Sequence, residues 1–146
     1  GWSDILGLSM DAQEDKTGFD NSAARIRKII ESEVASGVDP SRIVIGGFSQ
    51  GGALSFHVAL RTDIVLGGCV ALSTWLPLRA DYPSALSSSA RNLRVLQVHG
   101  DYDQVVPYTF GKLSNDFLAT HLSHPPKFVT IKVRLLFLCI VYYTLL

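Results

Sequence analysis

Apolar positions along the chain follow first a helical spacing and then a strand spacing. Residues 20–35 place alanine, isoleucine and valine three and four residues apart, which predicts an amphipathic helix that ends at Gly37. Three residues are available to cap its start: Asp20, Asn21 or Ser22. Residues 42–46 form a short, β-branched run bounded by glycine, which predicts a fully buried strand. Helical spacing returns after Ser49.

The same alternation continues to the end of the patterned region. The runs "LGGCVALS" and "LRVLQVHG" predict two further strands, a helix is predicted from about Thr109 to His121, and "KFVTIKV" predicts a last strand. Strands that alternate with helices indicate a mainly parallel sheet covered by helices on both faces. No internal repeat and no long linker divides the chain.

Composition narrows the class of protein. The chain has 146 residues, is 47% hydrophobic and has a formal net charge of zero, which favours a soluble globular domain and argues against a nucleic-acid partner. Only two cysteines are present, and Cys69 lies in an apolar run where we expect its thiol to pack as a small hydrophobe. We therefore expect a reducing, cytoplasmic location. The first residues show no signal peptide.

A serine between glycines is the strongest candidate for chemistry. Residues 47–51, "GFSQG", match G-x-S-x-G between a predicted strand and a predicted helix, which is the setting of a nucleophile elbow. Such an elbow strains the backbone of the serine, and we expect a β-carbon at Gly47 or Gly51 to collide with neighbouring structure. Ser49 is then the nucleophile, and the N–H of Gln50 is one donor to the oxyanion. The alternative is that Ser49 is a turn residue.

The acid partner is predicted in the loop after "VLQVHG". Asp101 and Asp103 follow Gly100, where the carboxyl end of a parallel strand opens into the ligand crevice. We assign the orienting role to Asp103. Asp101 follows the glycine directly, and we expect its side chain to bind the backbone of the loop instead.

Several ordered blocks together carry a family resemblance: "GLSMDAQEDKTG", "GGFSQGGALS", "ALSTWLPLR" and "HGDYDQVVP". Over most of residues 1–132, the chain resembles the acyl-protein thioesterases, a lysophospholipase-like phospholipase/carboxylesterase family of α/β-hydrolases. The resemblance implies hydrolysis of thioesters and oxyesters, notably of palmitoyl groups on protein cysteines, without a metal or an organic cofactor. It also implies that Trp75 and Leu76 line the site beside the acyl chain and that Trp2 belongs to a covering loop.

The chain departs from the family pattern at both ends. The family's opening strands and its second oxyanion loop would precede residue 1, and its histidine would follow "FVTIKV". Residues 133–146 contain no histidine and do not resemble the family. We therefore expect a partial hydrolase domain over residues 1–132 and a non-family apolar tail over residues 133–146, which we interpret as noncoding sequence from a truncated or misspliced gene. The tail is too short for a membrane span.

None of the chain's four histidines suits the role of the missing base: His57, His99, His121 and His124. We expect the chain as given to be nearly inert and prone to aggregate. For the whole protein we predict a serine hydrolase that removes acyl groups from palmitoylated proteins. Alternatives are a lysophospholipase or small-ester carboxylesterase, and a non-catalytic hydrolase-like protein that binds an acyl chain or a partner. Membrane contact is at most peripheral in each of these.

Overall fold

A four-stranded parallel sheet organises the computed structural model, which describes residues 14–132. The strands run in the order β1-β2-β3-β4 across the sheet. Their bounds are Val44–Phe48 for β1, Gly68–Leu72 for β2, Val95–Gly100 for β3 and Lys127–Ile131 for β4. The α-helices are α1 (Lys16–Ala35), α2 (Gln50–Arg61) and α3 (Tyr108–His121). The predicted series of strands and helices is therefore confirmed.

Helix α1 begins earlier than its apolar spacing predicts. Asp15 is the N-cap, and its carboxylate accepts a hydrogen bond of 2.8 Å from the N–H of Gly18. The predicted caps at residues 20–22 are wrong, because these residues already lie inside the helix. An aspartate cap satisfies one of the free N–H groups of the first turn, and this stabilisation outweighs the low helix propensity of Gly18. The predicted stop is confirmed, since Gly37 adopts a φ of 101° just after the helix.

The first strand is less buried than predicted. Val44 is 58% exposed and Gly46 is also exposed, so the prediction of a fully buried strand at residues 42–46 is wrong. Within residues 14–132, β1 pairs only with β2 and forms one edge of the sheet. Burial of a parallel strand depends on its neighbours, which the composition of the strand does not specify.

Burial alternates along the two central strands. Cys69, Ala71, Gln97 and His99 are almost fully buried, whereas the residues between them are only half-buried. Successive side chains point to opposite faces of a sheet, so the helices among residues 14–132 cover one of the two predicted faces. Helices α2 and α3 pack on the strands, and α1 packs on α2. Between β2 and β3 the chain forms two short 3-10 helices, Arg79–Asp81 and Ser89–Asn92, instead of an α-helix.

The Cys69 thiol is part of this core. Its residue is 1% exposed, and burial raises the pKa of the thiol to about 12. A thiol with so high a pKa is protonated at neutral pH and is a poor nucleophile. The prediction that Cys69 packs as a small hydrophobe is confirmed. No helix among residues 14–132 combines the length and the apolar character that crossing a membrane requires.

A buried histidine joins α1 to α2. The Nε2 atom of His57, which is fully buried, lies 3.0 Å from a carboxylate oxygen of Asp20. Burial is the main cause that lowers the pKa of His57 to about 4, and the charge of Arg61 adds to the effect while Asp20 opposes it. The folded protein therefore favours the neutral ring.

This histidine should make the stability of the protein depend on pH. The pKa of His57 is lower when folded than when unfolded, so its stabilising contribution is complete above about pH 6.5 and is lost as the pH falls toward 4. We expect a loss of about 3 kcal/mol in the free energy of unfolding over that window. Urea unfolding at several pH values measures it. His57→Gln should flatten the dependence, and the exposed His124→Gln should not. Equal slopes in both variants would contradict the assignment.

Candidate active site

Ser49 lies at a sharp turn between β1 and α2. Its backbone has a φ of 52° and a ψ of −122°, and its N–H donates a hydrogen bond of 2.9 Å to the carbonyl of Leu72 on the neighbouring strand. Residues with a β-carbon seldom adopt such a φ, and the strain persists only where surrounding structure enforces it. The side chain is half-buried and does not cap α2. A strand, a strained serine and a helix therefore follow one another as the motif predicts.

The flanking glycines have unequal roles. A β-carbon on Gly47 would lie 2.3 Å from the carbonyl carbon and 2.4 Å from the carbonyl oxygen of Gly51, so no side chain fits there. A β-carbon on Gly51 would meet nothing within 4 Å, and the prediction that residue 51 must be glycine is wrong. The requirement after the serine falls on Gly52, where a β-carbon would approach the Gly47 carbonyl and the side chain of Thr74 at 2.8 Å each.

Gln50 is the first residue of α2. The N–H groups of a helix's first turn have no carbonyl partner within the helix, and the helix dipole concentrates partial positive charge there. A negative oxygen that forms beside Ser49 would be stabilised at this position. Gln50 therefore stands at the N-terminus of α2, and its role as an oxyanion donor stays a prediction.

The loop that holds Asp101 and Asp103 begins at the carboxyl end of the sheet, as Ser49 does. β1 ends just before Ser49, and β3 ends just before Asp101, whose N–H donates a hydrogen bond of 3.0 Å to the carbonyl of Ile131. β1 and β3 are two positions apart in the sheet. Neighbouring strands lie about 4.8 Å apart, so these two strand ends are on the order of 10 Å apart. A histidine ring and its hydrogen bonds span such a gap.

Asp103 is held firmly within that loop. Its Oδ1 atom accepts hydrogen bonds of 2.9 Å from the N–H groups of Val105 and Val106, and its side chain is only 7% exposed. Its Oδ2 atom lies 3.9 Å from Nε2 of His99. One carboxylate oxygen is thus fixed by the backbone, and the other remains to accept a hydrogen bond from a base.

The prediction that the side chain of Asp101 binds the backbone of the loop is wrong. The side chain of Asp103 accepts hydrogen bonds from the backbone of the loop. The Oδ1 atom of Asp101 is buried without a hydrogen-bond partner among the described residues. The loop is short, and Asp103 stands two and three residues before the N–H groups that it binds, which is the geometry of an Asx turn. Asp103 remains our candidate for the acid because its free oxygen is oriented.

Two of the histidines are engaged away from the serine. His57 is eight residues after Ser49 in α2, about 12 Å along the helix axis, and its ring contacts Asp20. The fully buried ring of His99 lies with Nε2 2.9 Å from the carbonyl oxygen of Val106. Both rings are therefore structural in this arrangement.

The other two histidines lie toward the end of the sheet at which the strands begin. His121 is the last residue of α3, where its ring stacks on Phe117, and the exposed His124 precedes β4. Because β4 runs parallel to β1, β4 begins at the end of the sheet away from Ser49. The part of the chain from residue 14 to 132 holds all four histidines and brings none of them to Ser49 as a base.

The segment after β2 contacts the elbow through Thr74, and Trp75 and Leu76 follow that contact. Trp75 is half-buried, and its indole N–H donates a hydrogen bond of 3.2 Å to Glu14. Leu76 is buried, and its backbone N–H donates to the hydroxyl of Ser114 at 2.8 Å. The second carboxylate oxygen of Glu14 accepts 2.6 Å from the N–H of Leu78. Sequence reasoning missed Glu14, because nothing local marks a contact across 61 residues. Trp2 lies outside the described residues.

Comparison with known proteins agrees with this geometry. The phospholipase/carboxylesterase family matches residues 1–132, which is most of the chain. The chain belongs to this family.

Among the residues that the structure describes, no cluster of three or more histidine, cysteine, aspartate or glutamate side chains could hold a metal ion.

Relatives of the family have names that specify an activity. The chain is 43% identical over 131 residues to acyl-protein thioesterase 1 of Mycosarcoma maydis, and the match covers 84% of this chain and 55% of the relative. Acyl-protein thioesterase 1 of Yarrowia lipolytica is 38% identical over 123 residues, which cover 84% of this chain and 54% of the relative. The chain therefore spans about half the length of these relatives.

Solved structures share the fold of this chain. SOBER1 from Arabidopsis thaliana matches with a TM-score of 0.83 at 27% identity, over 90% of this chain and 63% of that one. Acyl-protein thioesterase 2 of Zea mays matches with a TM-score of 0.79 at 28% identity, over 90% of this chain and 63% of that one. The four-stranded sheet and its helices are thus part of an α/β-hydrolase fold.

Proposed function

We propose that this protein is a serine hydrolase that cleaves acyl thioesters and esters, with fatty-acylated cysteines of proteins as its main substrates. The observation that carries the proposal is the backbone of Ser49, held at a φ of 52° between a strand and a helix. A turn residue has no need of this strain, whereas a nucleophile gains exposure to a substrate at the edge of the sheet. The names of the thioesterase relatives support the same chemistry.

The proposed reaction proceeds in two steps. The hydroxyl of Ser49 attacks the acyl carbonyl, the carbon–sulfur bond breaks, and the cysteine thiol leaves with the proton of the hydroxyl. Water then hydrolyses the acyl-serine ester, which releases the fatty acid and restores the hydroxyl. The N–H of Gln50 stabilises the oxyanion in both steps. Asp103 orients the base that carries the proton, and we assign the base to a histidine that the residues from 14 to 132 do not supply at this site.

Trp75 and Leu76 follow Thr74, which binds the elbow, and their apolar side chains suit an acyl substrate. We propose that these side chains contact the fatty chain, and that residues 1–132 contribute to the hydrolase domain while residues 133–146 stand apart from it. A thioester is preferred to a lysophospholipid because the relatives are named for acyl-protein thioesterase activity. We also propose a cytoplasmic location, on the ground that the chain has few cysteines and that Cys69 is free.

A fluorophosphonate probe tests the proposal in the full-length protein. The probe should label Ser49, and Ser49→Ala should lose the label. Ser55→Ala is the matched control, since Ser55 lies in α2 close to Ser49 in sequence and its hydroxyl donates a hydrogen bond of 2.9 Å to the carbonyl of Gly51. Labelling that persists in Ser49→Ala would overturn the proposal. Release of palmitate from an S-palmitoyl peptide and from a lysophospholipid then distinguishes the two substrate classes.

A further inference from the structure

Thr74 binds the backbone of the proposed nucleophile. It lies two residues beyond the end of β2, is fully buried, and donates a hydrogen bond of 2.6 Å from its hydroxyl to the carbonyl oxygen of Ser49. The same carbonyl accepts a helical bond of 3.0 Å from the N–H of Ala53. Loss of the threonine hydroxyl would therefore leave the carbonyl with a partner but without its second anchor.

The methyl group of Thr74 has a separate contact. A β-carbon on Gly52 would lie 2.8 Å from both Cβ and Cγ2 of Thr74, so the side chain presses directly on the first turn of α2. The hydroxyl and the methyl group thus contact two different parts of the elbow. Valine would keep the methyl contact and lose the hydrogen bond, whereas serine would keep the hydrogen bond and lose the methyl contact.

The hydrogen bond from the Thr74 hydroxyl affects the orientation of Gln50 as well as that of Ser49. The carbonyl of Ser49 and the N–H of Gln50 belong to one peptide unit, which is planar and rigid. An anchor on the carbonyl oxygen therefore sets the direction in which the Gln50 N–H points. A donor to an oxyanion contributes to catalysis only when it is oriented before the charge develops.

We propose that Thr74 is a positioning residue that fixes the Ser49–Gln50 peptide plane and thereby aims the oxyanion donor. The inference rests on the proposed function of Ser49 and Gln50. It makes a distinctive prediction, because a donor aimed at the oxyanion acts on the transition state and not on the bound substrate. The turnover number kcat should change and the Michaelis constant KM should not.

The test compares three variants of the full-length protein. Thr74→Val should lower kcat for an S-palmitoyl substrate about tenfold, less than the roughly 10²–10³-fold that loss of an oxyanion donor costs, with KM unchanged. Thr74→Ser should restore kcat to near the original value. Thr62→Val is the control, because Thr62 is a buried threonine at the other end of α2 whose hydroxyl accepts 3.2 Å from the N–H of Ile64. It should lower the melting temperature and leave kcat unchanged.

Each outcome supports or overturns the role of Thr74. A kcat in Thr74→Val equal to that of the unmutated protein would overturn the inference. Equal losses in Thr74→Val and Thr74→Ser would also overturn it, because packing and not the hydroxyl would then control turnover. Absence of turnover and of probe labelling in the unmutated protein would overturn the proposed function itself, and with it the role of Thr74, before any variant is compared.

Discussion

Replacing Asp103 by asparagine in the full-length protein should lower the turnover of a thioester substrate by about 10⁴-fold, as the loss of the acid does in the serine protease triad. The asparagine oxygen can still accept the hydrogen bonds that Val105 and Val106 donate to Oδ1. The amide nitrogen, however, replaces the oxygen that would receive the N–H of the base. A base that loses this acceptor settles in the wrong tautomer, while the loop keeps its shape. The measurement is kcat, with the melting temperature recorded for each variant.

Asp101→Asn is the matched control for this prediction. It makes the same substitution two residues away in the same loop, and the side chain of Asp101 holds no backbone N–H through its buried Oδ1 atom. We expect its turnover to stay within about threefold of the unmutated value, because it leaves the acceptor for the base in place. Asp103→Ala should also lower the melting temperature, because it removes the acceptor of two backbone bonds. Equal catalytic losses in the two asparagine variants would contradict the assignment to Asp103.

Local patterns predict the fold of this chain well. Each predicted strand and helix is found, and predicted strands at 66–73 and 93–100 contain the observed β2 and β3. Short apolar runs bounded by glycine are informative because they are typical of strands in a parallel sheet. The start of α1 was missed because Asp15 caps it, about five residues before its regular apolar spacing begins. A cap is a single side-chain hydrogen bond, and several residues here can provide one.

The exposure of β1 and the burial of Asp103 are properties of the tertiary structure. The same five residues of a strand are buried or exposed depending on which strands lie beside them, and β1 has a neighbour on one side within residues 14–132. Likewise, a spacing of two residues between Asp101 and Asp103 does not tell which carboxylate turns back to the loop. That choice follows from the path of the backbone after Gly100.

The site shows the same division between local and long-range information. The motif around Ser49 locates the elbow, because strand, serine and helix are consecutive. The contacts around it join residues that are distant in sequence: Thr74 is 25 residues from Ser49, and Glu14 is 61 residues from Trp75. Threonine and glutamate are common surface residues, so neither signals a role until the fold brings it into contact with its partner.

The two glycines nearest the elbow serine should respond oppositely to alanine. In Gly47→Ala the new methyl group would lie 2.3 Å from the carbonyl carbon of Gly51 and 2.7 Å from the nitrogen of Gly52. These are backbone atoms, so no side-chain rotation relieves the overlap, and β1 or the first turn of α2 must move. Overpacking typically costs about 1–3 kcal/mol, and we expect at least the upper end of that range here. Urea unfolding of the full-length protein measures the loss.

Gly51→Ala tests whether that loss of stability comes from steric overlap or from any substitution close to Ser49. A β-carbon at residue 51 meets nothing within 4 Å, and the residue lies in the first turn of α2 without a positive φ. Alanine is a better helix former than glycine by up to about 1 kcal/mol, so the free energy of unfolding should stay unchanged or rise. The two variants should then differ by about 3–4 kcal/mol. Similar stabilities would mean that the turn at Ser49 can open to admit a side chain, and the strain that marks this serine as a nucleophile would lose its structural basis.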